Sequence, residues 1–237
     1  MSYFQVRDLC KDFGYLKAVN NVSLEVNESE IIAIFGGNGA GKTTLIKIIA
    51  TLLSPTSGTF YLNDTEIKHN SEELRNNLGL ISHSLFLYSE LNAMENLRYF
   101  GNLYRVENLT DRIDELLTEF GLLPRMYDSV RTYSRGMLQR LSLARAVIHN
   151  PRLLLLDEPF TGLDKSAAET LMQYMESHRN SGRSILLVTH NLERGYHAAD
   201  KLAIMSNGRL VWQSDSEAIS LDDFKQTYIE NAVEVIG

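Results

Sequence analysis

One glycine-rich segment carries the residue types needed to hold a row of phosphates. The pattern G-x-x-x-x-G-K-[ST] is matched by Gly36, Gly37, Asn38, Gly39, Ala40, Gly41, Lys42 and Thr43, and Thr44 follows. Glycines let successive main-chain N–H groups turn toward one anion, and a helix N-terminus adds partial positive charge. Lys42 can reach the β- and γ-phosphates, and the Thr43 hydroxyl can bind Mg²⁺. A chance match is the alternative, but the apolar run before the segment and the helical pattern after it favour nucleotide binding.

Two carboxylates stand at the end of a second apolar run. Asp157 and Glu158 follow four leucines at 153–156, which predict a buried strand. Ligands of open α/β sheets bind at the carboxyl ends of the strands, so both acids would face the nucleotide. Asp157 can hold Mg²⁺ directly or through water, and Glu158 can accept a proton from an attacking water. Without the phosphate-binding segment, the same string would equally fit a strand that runs out into solvent.

The hydrophobic pattern predicts the elements that position these groups. Alternation over Ser23–Asn27 and the apolar run Glu30–Phe35 predict strands, the second of them a buried central strand. After Gly41 the pattern predicts a helix of about three turns, stopped by the Ser-Pro-Thr-Ser-Gly segment at 54–58. Residues 59–83 return to short strands and turns.

Helical spacing dominates the middle of the chain. Ala93–Phe100 and Thr110–Leu117 have the spacing of helices with one apolar face, and Thr110 or Asp111 is a plausible cap for the second. We therefore predict an inserted helical subdomain over about 85–148.

Later segments complete the predicted sheet. The apolar runs at 153–156 and 184–189 suit central parallel strands. Asn207 and Gly208 between two further apolar runs predict a tight hairpin. The last twenty or so residues are polar and mixed and give no clear pattern.

Composition limits the class of protein. The chain has 237 residues, a net charge of −7 and no dense basic block, so non-specific binding of nucleic acid is not expected. One cysteine, Cys10, cannot form a disulfide within the chain and suits a reducing cytosol. We find no apolar stretch of signal-peptide or membrane-span length. We expect one domain over 1–215, with 216–237 as its C-terminal extension.

The segment Tyr133–Arg140, with the sequence YSRGMLQR, resembles the signature of ABC (ATP-binding cassette) ATPases, usually L-S-G-G-Q, in a form common among exporter subunits. Ser134 and Gly136 match the signature, whereas Arg135 and Met137 depart from it. The similarity continues over 141–151 and 160–164 and spans residues 3 to about 212. This resemblance implies a P-loop NTPase α/β core with a mostly parallel central sheet, an N-terminal antiparallel β-subdomain and an inserted α-helical subdomain.

The resemblance also implies a site shared between two copies. In this family the signature serine caps a helix whose N-terminus points at the γ-phosphate bound by the other copy, which agrees with the anion affinity of such helix ends. Ser134, Arg135 and Gly136 of one chain would then complete the ATP site of a second copy. The alternative for 133–146 is a helix whose arginines at 135, 140 and 145 form a solvated face.

Four further residues take their roles from the resemblance. Phe13 matches the aromatic residue that stacks on adenine, although it could be a core residue and Tyr15 competes for the role. His190 corresponds to a histidine that stabilises the reacting phosphate, whereas a lone histidine at a strand end is more often structural. Asp164 belongs to the D-loop. His83 stands where the family usually has a glutamine, and it is similar to a histidine in some haem-exporter subunits.

We expect the partner to be an integral membrane permease. The family likeness favours ATP-driven export, with the chain on the cytoplasmic face of the membrane and the permease docked near 84–105. Apolar residues in Ser84–Leu91 could hold a partner helix or simply pack in the core. Two other classes remain open: an ABC ATPase that acts without a transporter, disfavoured by the absence of a long coiled-coil insertion or second cassette, and a cassette that signals to a membrane partner without transport.

Overall fold

The computed structural model describes residues 2–82, 84–163 and 165–233, which form an α/β fold with two sheets. The strands are β1 (Ser2–Phe13), β2 (Leu16–Asn27), β3 (Ile31–Phe35), β4 (Ser57–Leu62), β5 (Thr65–Ile67), β6 (Leu78–Ile81), β7 (Leu153–Asp157), β8 (Ser184–Thr189), β9 (Lys201–Ser206) and β10 (Arg209–Asp215). The helices are α1 (Lys42–Ile49), α2 (Glu72–Asn77), α3 (Ala93–Leu103), α4 (Leu109–Glu119), α5 (Arg135–Val147), α6 (Lys165–Asn180), α7 (Leu192–Ala198) and α8 (Leu221–Val233).

The larger sheet is mostly parallel, as predicted. Its strand order is β10-β9-β3-β8-β7-β6, and the pairs from β9 to β6 are parallel. Every residue of β3, β7 and β8 is buried, which is why these strands read as unbroken apolar runs. β10 returns antiparallel to β9 through Asn207 and Gly208, whose positive φ angles of 47° and 75° confirm the predicted hairpin.

The smaller sheet is antiparallel, with the order β2-β1-β4-β5. Its inner face and the larger sheet enclose α1 in one apolar core, where Phe4 of β1, Ile34 of β3 and Leu45 of α1 are fully buried. The other face of the larger sheet carries α3 to α8 over a second apolar core. These two layers confirm the predicted fold class, while the limits of the helical subdomain and of the C-terminal extension stay predictions.

Three predictions about local structure were wrong. α1 ends at Ile49, short of three full turns through residue 53, because Thr51 takes a left-handed conformation with φ of 61°. Residues 59–83 also contain α2, capped by the Ser71 side chain, which accepts from the Leu74 N–H at 3.1 Å. α4 begins before the predicted caps Thr110 and Asp111, since the left-handed Asn108 turns the chain into the helix earlier.

The C-terminal segment, which gave no clear pattern, forms α8 against the larger sheet. Phe224 is fully buried, with its ring centroid 4.8 Å from that of Phe35 at the end of β3. The ring centroid of Trp212 on β10 lies 5.7 Å from that of Phe224. No helix among the described residues has both the length and the apolar character needed to cross a bilayer.

Candidate functional site

The phosphate-binding segment connects β3 to α1 and is shaped by glycines that cannot be replaced without movement. A Cβ on Gly36 would lie 2.4 Å from the main-chain oxygen of Met205, and one on Gly41 would lie 2.2 Å from that of Ala18. Gly41 also precedes α1 with φ of 104°, a conformation that favours glycine. The loop is therefore pressed between β2 and β9 directly before the start of α1.

Lys42 is held in place by the loop itself. Its Nζ donates to the carbonyl oxygens of Gly36 at 2.7 Å and Gly37 at 3.1 Å, and the residue is 8% exposed. Burial lowers the pKa of Lys42, while the nearby carboxylates of Glu158 and Asp157 act in the opposite direction. The ammonium group is thus positioned at the floor of the loop, where a phosphate can replace its carbonyl partners.

Two oxygen donors meet beside Lys42. The Thr43 hydroxyl donates to Oδ1 of Asp157 at 3.0 Å, and Asp157 is 3% exposed at the end of β7. Mg²⁺ prefers oxygen ligands and is commonly bound by one or two protein groups together with substrate phosphates and water. Among the described residues no group of three or more acidic, histidine or cysteine side chains forms a metal site. The Thr43 hydroxyl and the Asp157 carboxylate are oxygen donors of the kind and number that fit a magnesium ion bound together with a nucleotide.

Glu158 and His190 form a pair at the next position along the sheet edge. The parallel register places Asp157 beside Val188, so the residues after β7 and β8 emerge together. Nδ1 of His190 lies 2.8 Å from Oε2 of Glu158, which also accepts from the His190 main-chain N–H at 3.2 Å. The Glu158 side chain is 14% exposed, whereas that of His190 is 65% exposed.

These groups line one open cleft of about 660 Å³. The predicted residues in its wall are Phe13, Gly37, Asn38, Gly39, Ala40, Gly41, Lys42, Thr43, Thr44, Glu158 and His190. Gly36 and Asp157 reach the site through their contacts with Lys42 and Thr43. Phe13 is 49% exposed, so the alternative of a core aromatic is wrong. The described wall does not include the fully exposed Tyr15.

Sequence reasoning missed several residues of the cleft. Leu16, Lys17 and Ala18 line it from β2, Asn207 from the hairpin between β9 and β10, and Thr161 from the turn after Glu158. Asn207 was predicted as a turn residue, but nothing in the sequence indicated which part of the chain the turn would approach. His83 and Asp164 lie outside the described residues, so their predicted roles stay predictions.

The signature segment lies apart from this cleft. Ser134 caps α5 by accepting from the Met137 N–H at 3.3 Å, and both Ser134 and Arg135 are exposed. The described wall of the cleft contains none of Ser134, Arg135 and Gly136. The structure therefore brings the phosphate loop and the paired carboxylates together in one chain and leaves the signature end of α5 facing outward.

The alternative of a solvated arginine face on α5 is wrong. Arg140 Nη1 donates to the Phe120 carbonyl at 3.0 Å, and Arg145 donates to the Leu80 carbonyl. Burial lowers the pKa of Arg145 to about 10. Two of the three arginines thus hold neighbouring elements together through main-chain oxygens.

A second cavity, of about 190 Å³, lies beside residues 84–91. Its wall includes Leu52, Arg75, Phe86, Tyr104 and Arg145. In the segment itself, Phe86 and Tyr88 are 42% and 47% exposed, while the two leucines at 85 and 87 are partly buried. The segment therefore has partly buried and exposed apolar residues: its leucines pack toward the protein, and its aromatic rings stay accessible. Its use as a docking surface stays a prediction.

Comparison with known proteins gives consistent matches. A family model described as ABC transporter matches residues 19–161. The chain is 33% identical over 207 residues to the ABC transporter ATP-binding protein NatA of Bacillus subtilis, covering 86% of this chain and 84% of that protein. It is 35% identical to the Nod factor export ATP-binding protein I of Cupriavidus metallidurans, covering 87% and 69% respectively.

Solved structures agree with these sequence matches. The structure of an ATP-binding subunit of an ABC transporter superposes with a TM-score of 0.84 at 31% identity, covering 96% of this chain and 93% of that one. A dimeric ATP-binding cassette in a post-hydrolysis state, bound to ADP and Pi, superposes with a TM-score of 0.77 at 25% identity, covering 90% and 98%.

Proposed function

This chain belongs to the ABC transporter family as an ATP-binding subunit with ATPase activity, and from that premise we propose that two copies enclose ATP and drive a separate membrane subunit. The pair sits on the cytoplasmic face of the membrane, with no nucleic acid involved. The direction of transport is outward. The Y-S-R-G-M form of the signature and the similarity to a Nod factor export protein support this direction.

One observation carries the two-copy proposal. The phosphate loop and Glu158 share a cleft, whereas the Ser134 end of α5 is exposed and contributes nothing to the described wall of that cleft. A capped helix N-terminus is a ready site for an anion. A second copy facing the cleft can supply it to the γ-phosphate, and a relative of this fold was solved as a dimer with ADP and Pi.

The hydrolytic step follows from the contacts around Glu158. The Glu158 carboxylate accepts a proton from the attacking water, and His190, which contacts Oε2 of that carboxylate, holds it in place. His190 lines the same cleft and can stabilise the charge on the reacting phosphate. Lys42 exchanges its bonds to the Gly36 and Gly37 carbonyls for bonds to phosphate oxygens. Thr43 and Asp157 would hold Mg²⁺, which supplies charge neutralisation for the phosphates. Loss of the γ-phosphate removes the group that joins the two copies, so the pair opens.

The membrane subunit docks at the second cavity. Exposed Leu52 and Phe86 offer apolar surface in its wall, and Arg75 and Arg145 place positive charge there. Tyr88, outside the wall, adds exposed apolar surface nearby in the chain. This combination suits a short helix with apolar residues and an acidic one. Arg145 also bonds to the Leu80 carbonyl of β6, whose strand leads into residues 82–88. Movement of a helix bound in the groove would therefore shift β6, the edge strand of the larger sheet, and this sheet carries the ATP site.

The decisive experiment replaces the proposed base. Glu158→Gln keeps the size of the side chain but removes its basicity, so we expect turnover to fall by about 10²- to 10⁴-fold while ATP still binds. With ATP and Mg²⁺ the variant should run as a dimer in size-exclusion chromatography, and without ATP as a monomer. Glu193→Gln on α7, an exposed carboxylate, is the matched control and should behave as wild type. Normal steady-state turnover by Glu158→Gln would remove Glu158 from this role.

A further inference from the structure

Arg135 makes a contact that the usual signature cannot make. It is the first residue of α5, directly after the cap Ser134, at a position where the signature normally has glycine. The residue is exposed, but its side chain does not simply point away from the protein along the helix. Instead, Nη2 donates to the main-chain carbonyl oxygen of Thr161 at 3.3 Å. A side chain at the start of α5 therefore reaches the turn that follows β7 within the same chain.

The same guanidinium covers Gly162. A Cβ on that residue would lie 1.9 Å from Nη2 and 2.1 Å from Cζ of Arg135, so the arginine occupies space that any larger residue would need. Gly162 also has φ of 72°, which favours glycine independently. The guanidinium thus bonds to one residue of the turn and packs closely against the next, so two contacts fix its position.

This turn is the one that carries Glu158. The Thr161 N–H donates to the Glu158 carbonyl at 3.1 Å, and the Leu163 N–H donates to the Phe160 carbonyl at 3.3 Å. Glu158 itself has φ of 52°, a left-handed conformation that costs energy in a residue with a side chain. Surrounding contacts must hold such a turn, and Arg135 is one of them.

We propose that Arg135 is a positioning residue that acts within its own chain, linking the N-terminus of α5 to the turn bearing Glu158. Its significance for turnover rests on the proposed role of Glu158. The link joins the helical region to the central sheet before any second copy is present, so the Ser134 end of α5 and the Glu158 turn move together.

The test measures the turn in the nucleotide-free chain. Arg135→Gln removes the guanidinium but keeps helix propensity, and we expect exchange of the Thr161 and Leu163 amide hydrogens, followed by NMR, to become about three- to tenfold faster. Amides of β7 should exchange as in wild type, which separates a local effect from general destabilisation. Arg131→Gln is the control, since Arg131 is exposed in the same region and pairs with Glu90 at 3.9 Å. It should leave the turn unchanged.

Turnover supplies a second readout. Arg135→Gln should lower kcat by about three- to tenfold with the KM for ATP changed less than twofold, because the turn and not the phosphate loop is disturbed. Arg135→Lys should restore part of kcat, since it can donate to Thr161 but cannot cover Gly162.

Unchanged exchange at Thr161 and Leu163 in Arg135→Gln would overturn the proposal. If ATP-dependent dimer formation fell in that same variant, Arg135 would act on the nucleotide of the other copy instead. These results are independent of the Glu158→Gln experiment: amide exchange in the nucleotide-free chain can support the link even if the two-copy ATP site is wrong, and the reverse also holds.

Discussion

Two helix N-termini in this protein offer anion sites, and they are built in opposite ways. α1 begins inside a tight loop: Lys42 is buried, and neither Gly36 nor Gly41 has room for a Cβ. α5 begins at an exposed serine, and among the described residues nothing apart from its chain neighbours and its own helix backbone lies within 4 Å of a Cβ placed on Gly136. Close packing therefore fixes the first site within the chain, whereas the second is left open to whatever surface approaches it.

The difference suggests that the N-termini of α1 and α5 have separate roles. The site at α1 can bind its ligand within one chain, because neighbouring strands already orient its donors. An open site with a side-chain cap gains affinity only when another surface covers it and excludes water. Changes at α1 should therefore alter nucleotide binding by a single chain, and changes at α5 should alter what two chains do together.

The largest effect is expected from a change at the N-terminus of α1. Lys42→Met removes the buried ammonium, and we expect the affinity of the isolated chain for ATP to fall by about a hundredfold or more, since a charge-assisted contact to phosphate is lost. Isothermal titration with Mg·ATP measures this directly. Lys47→Met, an exposed lysine on the same helix, is the control. Equal affinity of wild type and Lys42→Met would remove the contrast between the two helix ends.

The next largest effect is expected from a change at the N-terminus of α5. Ser134→Ala should lower turnover by about ten- to a hundredfold because a donor to the developing phosphate charge is lost. ATP affinity of the isolated chain should stay within about twofold of wild type. Ser71→Ala removes a comparable cap from α2 and controls for the loss of about 1 kcal/mol of helix stability. Full turnover in Ser134→Ala by a chain that stays monomeric would show that the N-terminus of α5 takes no part in catalysis.

A smaller effect is expected at Phe13, in the wall of the ATP cleft. Phe13→Ala should weaken ATP binding by about tenfold, because stacking on a base contributes on the order of 1–3 kcal/mol. Tyr15→Ala, two residues away and outside the described wall of the cleft, should bind ATP as wild type does. The reverse order of the two affinities in a fluorescent-nucleotide titration would assign the stacking role to Tyr15.

The smallest effect concerns the packing of α6, where His178 is buried. Burial lowers the pKa of His178 to about 4, from 6.5, with Arg183 acting in the same direction. Between these values the unfolded chain binds a proton that the native chain does not, so stability falls as pH drops from about 6.5 to 4. At pH 5 this amounts to about 1–2 kcal/mol for His178.

Urea unfolding at pH 7 and pH 5 measures this dependence. His178→Leu should lose less stability between the two pH values than wild type does, whatever its stability at pH 7. His149 should contribute similarly, because burial lowers its pKa to about 4 against the raising effect of its bond to the Leu78 carbonyl. An unchanged difference between pH 7 and pH 5 in His178→Leu would exclude His178 as a source of the acid sensitivity.

The sequence predicted best those parts whose structure depends on neighbours in the chain. β3, β7 and β8 are continuous apolar runs because both faces of the sheet are covered, and the phosphate loop is one short segment with a fixed spacing. The hairpin at Asn207 depends on two residues alone. In these places local pattern and tertiary structure impose the same requirement.

Other parts depend on contacts between distant segments, which the pattern does not contain. The end of α1 is decided by a left-handed Thr51, and the start of α4 by a left-handed Asn108, although neither residue type demands that conformation. The sequence pattern allowed Arg145 to be a surface residue, but its side chain donates to the Leu80 carbonyl of β6. The functional roles assigned to Ser134, His83 and Asp164 came from family likeness, and they remain to be tested.

The row of rings from Trp212 through Phe224 to Phe35 has a practical consequence. Trp212 is the one tryptophan in the chain, and Phe35 is the residue immediately before Gly36. Intrinsic fluorescence excited at the indole therefore comes from a single position that is two ring contacts away from the phosphate loop. Nucleotide-linked shifts of that strand can be followed by emission intensity in the unlabelled protein, in real time.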